Sequence, residues 1–491
     1  MGIVINQSIR NAIISYTGII LGFISTILLF PNILGAEKFG LTRTMIAIMV
    51  IVVQLVSLGL PNSIIKFFPA LSEKTSDHKG LYWLFLIPPL FALVLFIVLY
   101  SLADNLIFDV YKNSTLLAEY YFYVVPMVVF STLFGLLNAF IKASFNTVFA
   151  SFLQDILLRI IVIITLFLFY FDLINFDQFL ILFVGNYLLQ YVILLVYSFK
   201  KGLVNFKFRT SVFDLEMRSS IKKYSFYSFF SGFTMILVGN IDLLMVDVFK
   251  GLEQTGVYAI ALYVGAVITI PKKSIAKILF PVISMSFQKN DFSNIEKVYK
   301  QSSLNMILFG LLIYIGVIAN MDNLYSMLPD TFSNGSIVIV IIGLANLFDM
   351  VTGANGQIII SSKYFKFDFI ASFVLMISAV VLNLILIPKF GLTGAATATA
   401  TSIFIFNFIK VIYVWTKFKI QPFSLKTGGI ILLGLSVLYL STLIPKLHSI
   451  YFDVPVRSLF MAILYMGAVW VFNLSEEVNG IIKGVVKRIK N

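Results

Sequence analysis

The chain has no cysteine, only two histidines and few charged residues, and each shortage excludes a class of protein. Without cysteine there are no disulfides, thiolate nucleophiles or thiolate metal ligands. The two histidines, His78 and His448, are too few for a histidine-rich metal centre. Charged residues make up 12% of the 491 residues, whereas a soluble chain of this length carries about 25%. Lipid is therefore the main solvent of this protein.

Apolar residues take the place of the missing charge, at 59% of the chain with 50 phenylalanines. One helical crossing of a membrane needs about 20 apolar residues, and fourteen such runs are present, from residues 11–34 to residues 458–474. The runs are continuous and lack the alternation of a membrane β-barrel. The first run is too long for a signal-peptide core and lacks a small-residue cleavage site, so we expect it to be retained. The sequence predicts an all-α polytopic membrane protein with about 14 transmembrane helices.

The lysines and arginines indicate how these helices are oriented. With a cytoplasmic N-terminus, 23 of the 36 Lys and Arg residues fall in inner segments, 7 in outer segments and 6 inside the predicted helices. Positive charge accumulates on the cytoplasmic side of membrane proteins, so we expect both termini there. Most of the net charge of +13 is then used for orientation and does not indicate a nucleic-acid partner. Membrane lipids are the expected surroundings of the basic loops.

A short motif occurs twice in the chain. It reads Gly35-Ala-Glu-Lys-Phe-Gly40-Leu after predicted helix 1 and Gly251-Leu-Glu-Gln-Thr-Gly256-Val after predicted helix 7, 216 residues later. Glycine permits the tight reversal that such a short connection demands. The offset spans six helices, which predicts two parallel six-helix lobes with a substrate path between them, as in many transporters. The predicted divisions are an N-terminal lobe with its inner loop (1–223), a C-terminal lobe (224–416), and helices 13 and 14 with a cytoplasmic tail (417–491).

A longer stretch carries a specific resemblance. It runs Asn383-Leu-Ile-Leu-Ile-Pro-Lys-Phe-Gly-Leu-Thr-Gly-Ala-Ala396 and repeats the Lys-Phe-Gly-Leu-Thr of residues 38–42. With the turn after helix 1, it resembles the polysaccharide flippases of the MOP superfamily, including the O-antigen (Wzx-type) transporters. The resemblance implies a V-shaped, MATE-like pair of lobes in the bacterial inner membrane. It also implies movement of an undecaprenyl-pyrophosphate-linked oligosaccharide from the cytoplasmic to the outer leaflet, alongside polysaccharide-assembly proteins.

Other functions stay open at this point. A multidrug exporter of the same superfamily, driven by H⁺ or Na⁺, usually has an acid in helix 1, and residues 11–34 contain neither Asp nor Glu. A lipid II flippase would share the anionic headgroup. A membrane glycosyltransferase or O-antigen ligase needs an outer loop rich in Arg, His and acids, and the longest outer loop, residues 104–118, offers only two Asp and one Lys. We therefore expect a transporter without catalytic residues, metal or cofactor, for which H⁺ or Na⁺ is the candidate coupling ion.

Basic residues inside the predicted helices are the candidate substrate-binding groups, because an unpaired one costs about 2.5 to 3.5 kcal/mol at mid-bilayer. We assign five of them to a basic cavity that attracts a pyrophosphate: Lys66, Arg159, Lys272, Lys273 and Lys277. Two alternatives compete with this interpretation. The lysines lie in the cytoplasmic half, where they can extend to headgroups, and Arg159 can pair with Asp155 one helical turn earlier. Lys410, near the end of helix 12, is expected to extend to the headgroups.

Acidic residues inside the predicted helices are the candidates for ion coupling. Asn240 and Asp242 in helix 7, and Asp349 in helix 10, combine carboxylate with amide oxygens that can take Na⁺ or a proton. Hydrogen bonding between helices is the competing role for the same groups. Asp247 lies near the outer end of helix 7, where we expect it to be solvated.

Overall fold

The computed structural model describes residues 2–74, 81–103, 109–144, 146–204 and 215–480, and the regular elements in these ranges are helices. By its internal contacts the chain divides into two compact units, which we call unit 1 (Met1–Gly256) and unit 2 (Val257–Asn491). The lobe boundary at residue 223 rests on sequence repetition rather than on contacts, and it stays a prediction.

The described residues of unit 1 include an apolar core. Short π-helical segments, Ile24–Leu29 and Leu153–Leu157, join α1 to α2 and α7 to α8. Side chains of α3, α4, α6 and α9 pack together in the core. The helices are α1 (Gly2–Phe23), α2 (Phe30–Val56), α3 (Leu60–Lys74), α4 (Leu81–Leu102), α5 (Thr115–Tyr120), α6 (Val124–Ala143), α7 (Val148–Phe152), α8 (Leu158–Tyr170), α9 (Phe176–Lys200), α10 (Leu215–Val238) and α11 (Ile241–Lys250). The next helix, α12 (Leu252–Val267), begins in unit 1 and ends in unit 2.

The described residues of unit 2 include two groups of packed, buried side chains. One is formed by α14, α16, α19 and α20, and the other by α13, α14, α17 and α18. The helices after α12 are α13 (Ile270–Gln288), α14 (Phe292–Ala319), α15 (Met321–Ser326), α16 (Ser336–Val351), α17 (Asn355–Ser361), α18 (Lys366–Phe418), α19 (Leu425–Thr442) and α20 (Ile450–Val471).

The described helices account for the predicted membrane crossings. Ten are long and apolar enough to cross a membrane, and twelve if α10 with α11 and α12 with α13, bent by 43° and 48°, each count as one span. Two of the ten, Ile9–Val56 and Lys366–Phe418, have 48 and 53 residues, more than twice the length of about 20 that one crossing needs. Each is broken at a glycine with positive φ, Gly35 or Gly391. If each is divided at its glycine, the twelve candidate spans become fourteen. The prediction of an all-α polytopic membrane protein is confirmed.

The repeated glycine motif makes a paired contact in unit 1. The first glycine of each copy, Gly35 and Gly251, has a φ of 73° or 83°, which side chains with a Cβ rarely adopt. The second glycine serves another purpose. A methyl group at Gly40 would overlap the backbone of the second turn at Leu252, and one at Gly256 would overlap the backbone of the first turn. The two copies therefore pack against each other through their second glycines, which the sequence motif alone did not predict.

Candidate functional site

A polar network links three helices of unit 2. Lys272, in the first turn of α13, forms an ion pair with Asp349 near the end of α16. The second carboxylate oxygen of Asp349 accepts a hydrogen bond of 3.0 Å from Asn407 Nδ2 on α18. Asn407 Oδ1 in turn lies 3.0 Å from the hydroxyl of Thr352. Lys272 and Asp349 were predicted for two different sites, and the structure places them in one.

Lys410 of α18 lies inside unit 2. The residue is 5% exposed, and its Nζ lies 2.7 Å from Asp368 Oδ1 and 4.3 Å from the centre of the Phe406 ring. Asp368 stands before the break at Gly391 and Lys410 after it, so the pair joins the two halves of α18. The expectation that Lys410 extends to the headgroups is wrong, because Asp368, which the sequence did not single out, compensates its charge in the interior.

The two other predicted cations of α13 have a different environment from Lys272. Lys273 and Lys277 are exposed and lie four residues apart, on one face of the helix. Pro271 occupies the first turn of α13, where a missing N–H leaves no helical hydrogen bond unmade, directly after the 48° bend. Asn346 of α16 donates to the carbonyl oxygen of Gly265 just before this bend, at 2.9 Å. Lys273 and Lys277 thus follow a stabilised break in the span.

In unit 1, Lys66 of α3 lies against α10. Its ammonium is 3.9 Å from the centre of the Tyr224 ring, a cation–π contact. The two helices are also joined by a hydrogen bond of 2.6 Å between the hydroxyls of Ser63 and Ser225. Lys66 itself is exposed, so its charge lies at the edge of the contact between α3 and α10.

A groove of about 640 Å³ lies between α3, α4 and α10, and we call it the α3–α4–α10 groove. Its walls are apolar except for Ser225 and two cations of α10, Arg218 and Lys222, which lie one helical turn apart. Phe226 and Phe229 follow on the same side of the helix. Both cations belong to the inner-segment charges that orient the helices. Arg218 and Lys222 are four residues apart, and phenylalanines continue the same face of the helix. This pattern in the sequence could have indicated the groove.

Arg159 of α8 does not form the predicted pair with Asp155. In the described part of the chain, Asp155 accepts a hydrogen bond of 3.4 Å from Ser15 of α1, and no ion pair joins it to Arg159. The π-helical segment Leu153–Leu157 contains Asp155, and its wider turn disrupts the stacking of side chains four residues apart. Arg159 Nη1 is buried without a hydrogen-bond partner among the described residues.

A second cavity in unit 1, of about 270 Å³, is lined by residues of α2, α6, α8, α9, α10 and the π-helical segment before α8, and we call it the amide cavity. Its polar lining in the described chain consists of amides and hydroxyls: Gln54, Ser131, Asn138, Gln154, Tyr187 and Gln190. Asn138 Oδ1 and Gln190 Nε2 are buried and have no hydrogen-bond partner among the described residues. Each of these amides stands alone in a different apolar run, so the sequence does not mark them as a site.

The polar residues of predicted helix 7 that were candidates for ion coupling lie at and after the break between α10 and α11. Asn240 is the residue that precedes α11, and its amide donates to the carbonyl oxygen of Ile236 at 2.8 Å. Asp242 is buried, with 2% exposure. Asp247 is fully buried and accepts a hydrogen bond from the hydroxyl of Ser114. The expectation that Asp247 is solvated is therefore wrong.

Known proteins resemble this chain in sequence and in fold. Residues 7–287 match the family model of polysaccharide biosynthesis proteins. A segment of 184 residues is 26% identical to a protein of Haloferax volcanii described as a probable low-salt glycan biosynthesis flippase, Agl15. That segment spans 37% of this chain and 39% of the relative, so the chain matches well under half of that protein's length.

Two solved structures show the same fold. The lipid II flippase MurJ, in an inward closed conformation, matches with a TM-score of 0.74 at 18% identity, over 94% of this chain and 98% of that chain. An inward-facing multidrug resistance MATE family transporter of the MOP superfamily matches with a TM-score of 0.61 at 14% identity, over 80% and 92%. The predicted MATE-like fold and the prediction of a transporter rather than an enzyme are confirmed. Since the family model covers more than half of the residues of this chain, the chain belongs to the polysaccharide biosynthesis protein family.

Proposed function

We propose that this protein flips a lipid-linked oligosaccharide from the cytoplasmic to the outer leaflet by alternating access. The family supports a role in glycan assembly, and the α3–α4–α10 groove is the observation that carries the proposal. Its walls are apolar, and Arg218 and Lys222 line one part of it. A substrate with an anionic phosphate head and a hydrocarbon tail has matching chemistry, because guanidinium and ammonium groups bind phosphate oxygens while apolar walls bury the tail.

We propose undecaprenyl pyrophosphate in the bacterial inner membrane as the lipid carrier. A pyrophosphate has enough oxygens for both cations of the groove. In the orientation predicted from the loop charges, Arg218 and Lys222 stand on the cytoplasmic side, where such a substrate is loaded. Both termini are cytoplasmic in this orientation.

We propose that the headgroup contacts the five predicted basic residues after it has left the groove. Lys273 and Lys277 are exposed on one face of α13, and Lys66 is exposed beside Tyr224. Lys272 differs because Asp349 already compensates its charge. Arg159 is also a candidate to bind the headgroup, because its Nη1 is buried and has no hydrogen-bond partner among the described residues.

For ion coupling we propose that Asp349 exchanges its bond to Lys272 for a proton or Na⁺, with Asn240 and Asp242 as a second candidate site. The ion pair and the Asn407 hydrogen bond make Asp349 a carboxylate whose partner can be replaced. In proteoliposomes, Asp349→Asn is expected to leave a flipping rate that no longer depends on a Na⁺ or pH gradient. Asp242→Asn is the parallel variant. An unchanged gradient dependence in both variants would exclude these acids.

The test of the proposed function is complementation of a flippase-deficient strain that makes the lipid-linked glycan. The wild-type chain should restore surface polysaccharide. Arg218→Gln with Lys222→Gln should reduce it at least about 10-fold, since each charge-assisted hydrogen bond contributes about 1.5–3 kcal/mol. Lys273→Gln with Lys277→Gln tests the basic cavity in the same assay.

Lys223→Gln is the matched control, because Lys223 is an exposed cation of α10 beside Lys222 that does not line the groove. The amount of protein in the membrane fraction must be equal for all variants. Equal polysaccharide from the double variant and the control would contradict the role of the groove. Rescue of a strain lacking its lipid II flippase, or resistance to cationic drugs without polysaccharide, would instead favour the two alternatives.

A further inference from the structure

The amide cavity of unit 1 contains polar groups that the protein itself does not satisfy. Gln190 is 3% exposed and Asn138 is 7% exposed, and each has a fully buried amide atom without a hydrogen-bond partner among the described residues. Both residues line the cavity. A buried amide that lacks its hydrogen bonds is unfavourable, and more so where lipid rather than water surrounds the helices. These groups are therefore expected to meet a hydrogen-bonding ligand.

The lining determines the charge of that ligand. The described residues around the cavity include four amides, a serine and a tyrosine, and neither a carboxylate nor a cation is among them. A phosphate would require Lys or Arg, and a metal cation would require carboxylates. Amides present donors and acceptors together, whichever way the group is rotated. A neutral ligand that both donates and accepts hydrogen bonds fits this lining.

Size limits the ligand further. The volume of about 270 Å³ is just below the range of about 300–1,000 Å³ typical of small-molecule sites. Two aromatic residues of the lining, Phe134 and Tyr187, offer apolar faces. The cavity thus has room for one ring with several hydroxyl or acetamido groups.

We propose that the amide cavity binds one neutral sugar residue of the transported glycan. The inference rests on the proposed function, since it assigns the sugar to the amide cavity and the phosphate head to the cations of the α3–α4–α10 groove. Asn138 and Gln190 hydrogen-bond the sugar, and the aromatic residues contact its apolar face. The cavity then selects among glycans by their hydroxyl and acetamido pattern.

The absence of cysteine makes a direct test available. Gly135 lines the cavity, and a Cβ at this position meets no atom within 4 Å, so Gly135→Cys places the sole thiol of the protein in the wall without strain. Gly185→Cys is the matched control, because Gly185 of α9 is equally open and lies outside the lining. The measurement is the rate of labelling by methyl methanethiosulfonate, a small neutral reagent, in purified protein.

Three probes are compared: undecaprenyl pyrophosphate carrying N-acetylglucosamine, the same lipid without sugar, and a panel of free methyl glycosides of neutral sugars. We expect the sugar-bearing lipid, and at least one glycoside, to slow labelling of the Gly135→Cys protein at least about 5-fold and to leave the control unchanged. The sugar-free lipid should have no effect on either rate. Absent labelling, or equal rates with every probe, overturns the proposal and leaves the cavity with water only.

A second variant separates binding from folding. Gln190→Leu, combined with Gly135→Cys, keeps the side-chain volume but removes the amide, and it should abolish protection by sugar. Asn186→Leu is its control, since Asn186 lies one turn earlier on α9, is also buried, and donates to the carbonyl oxygen of Leu158 at 3.0 Å. Protection that survives Gln190→Leu, or is lost equally in both variants, contradicts the assignment.

The outcome also distinguishes this inference from the proposed function. If the wild-type chain restores polysaccharide but no sugar protects the thiol, only the sugar site is wrong. If sugars protect the thiol but complementation fails, the cavity binds sugar in a protein that does not flip this glycan.

Discussion

The two units treat their buried and half-buried cations differently. In unit 2, three buried or half-buried cations each have a carboxylate partner: Lys272 with Asp349, Lys410 with Asp368 and Arg457 with Asp453. In unit 1, Arg159 Nη1 has no hydrogen-bond partner among the described residues. Unpartnered buried amide atoms occur in both units, at Asn138 Oδ1 and Gln190 Nε2 in unit 1 and at Asn383 in unit 2. Charge that is compensated inside the protein supports the packing of helices, whereas buried polarity without a partner is available to a ligand.

The difference suggests that the two units have different functions in transport. The network of Lys272, Asp349 and Asn407 has its charges balanced, so it can change state only if an ion or a proton replaces a partner. The groove and the amide cavity of unit 1 offer cations, apolar walls and free amide groups, which are contacts for head, tail and sugar. We therefore propose that Asp349 of unit 2 is the main coupling site and that most of the substrate recognition lies in unit 1.

The largest effect that would test this comparison is expected from Asp368→Asn. The change leaves the ammonium of Lys410, whose side chain is 6% exposed, without its carboxylate. Removal of one partner of a buried ion pair costs about 3–5 kcal/mol, and because the Asp368 side chain is 25% exposed we expect the lower end. Thermal unfolding of the purified protein in detergent is the measurement.

The control for this variant is Asp322→Asn, since Asp322 pairs with Lys446 where both side chains are mostly exposed, and such pairs contribute about 0–1 kcal/mol. A further variant, Asp368→Leu with Lys410→Met, should recover most of the stability, because apolar side chains can replace a buried pair. If Asp368→Asn proves as mild as the control, compensated charge is not what stabilises unit 2.

Much of the fold could be predicted from the sequence, because lipid imposes long apolar runs and glycine marks the places where helices break. The fourteen runs and the turns at Gly35 and Gly251 are visible without a structure. Partners were harder to predict. Lys410 and Asp368 are 42 residues apart, and Lys272 and Asp349 are 77 apart. Helices in lipid are apolar on most sides, so hydropathy does not show which side chains face each other.

The predicted Asp155–Arg159 pair illustrates a second limit. Its spacing of four is correct for an α-helix, but the sequence did not reveal the π-helical segment that contains Asp155. The groove cations were missed for another reason. Arg218 and Lys222 were explained sufficiently by orientation, although the same residues also line a groove. A charged residue that is explained by membrane orientation can therefore also line a binding site, and the sequence alone does not show this second role.

The smallest change in stability is expected from Arg159→Gln, and its contrast with Lys272→Gln sharpens the comparison. Lys272→Gln deprives Asp349 of its cation and should lower stability by about 1–2 kcal/mol, since both side chains are partly exposed. Arg159→Gln removes a buried donor without a partner, so the unfolding midpoint should stay the same or rise. Flipping should nevertheless fall, because Arg159 is assigned to the substrate. Equal destabilisation by both variants would show that Arg159 is compensated like the cations of unit 2, and the difference between the units would not hold.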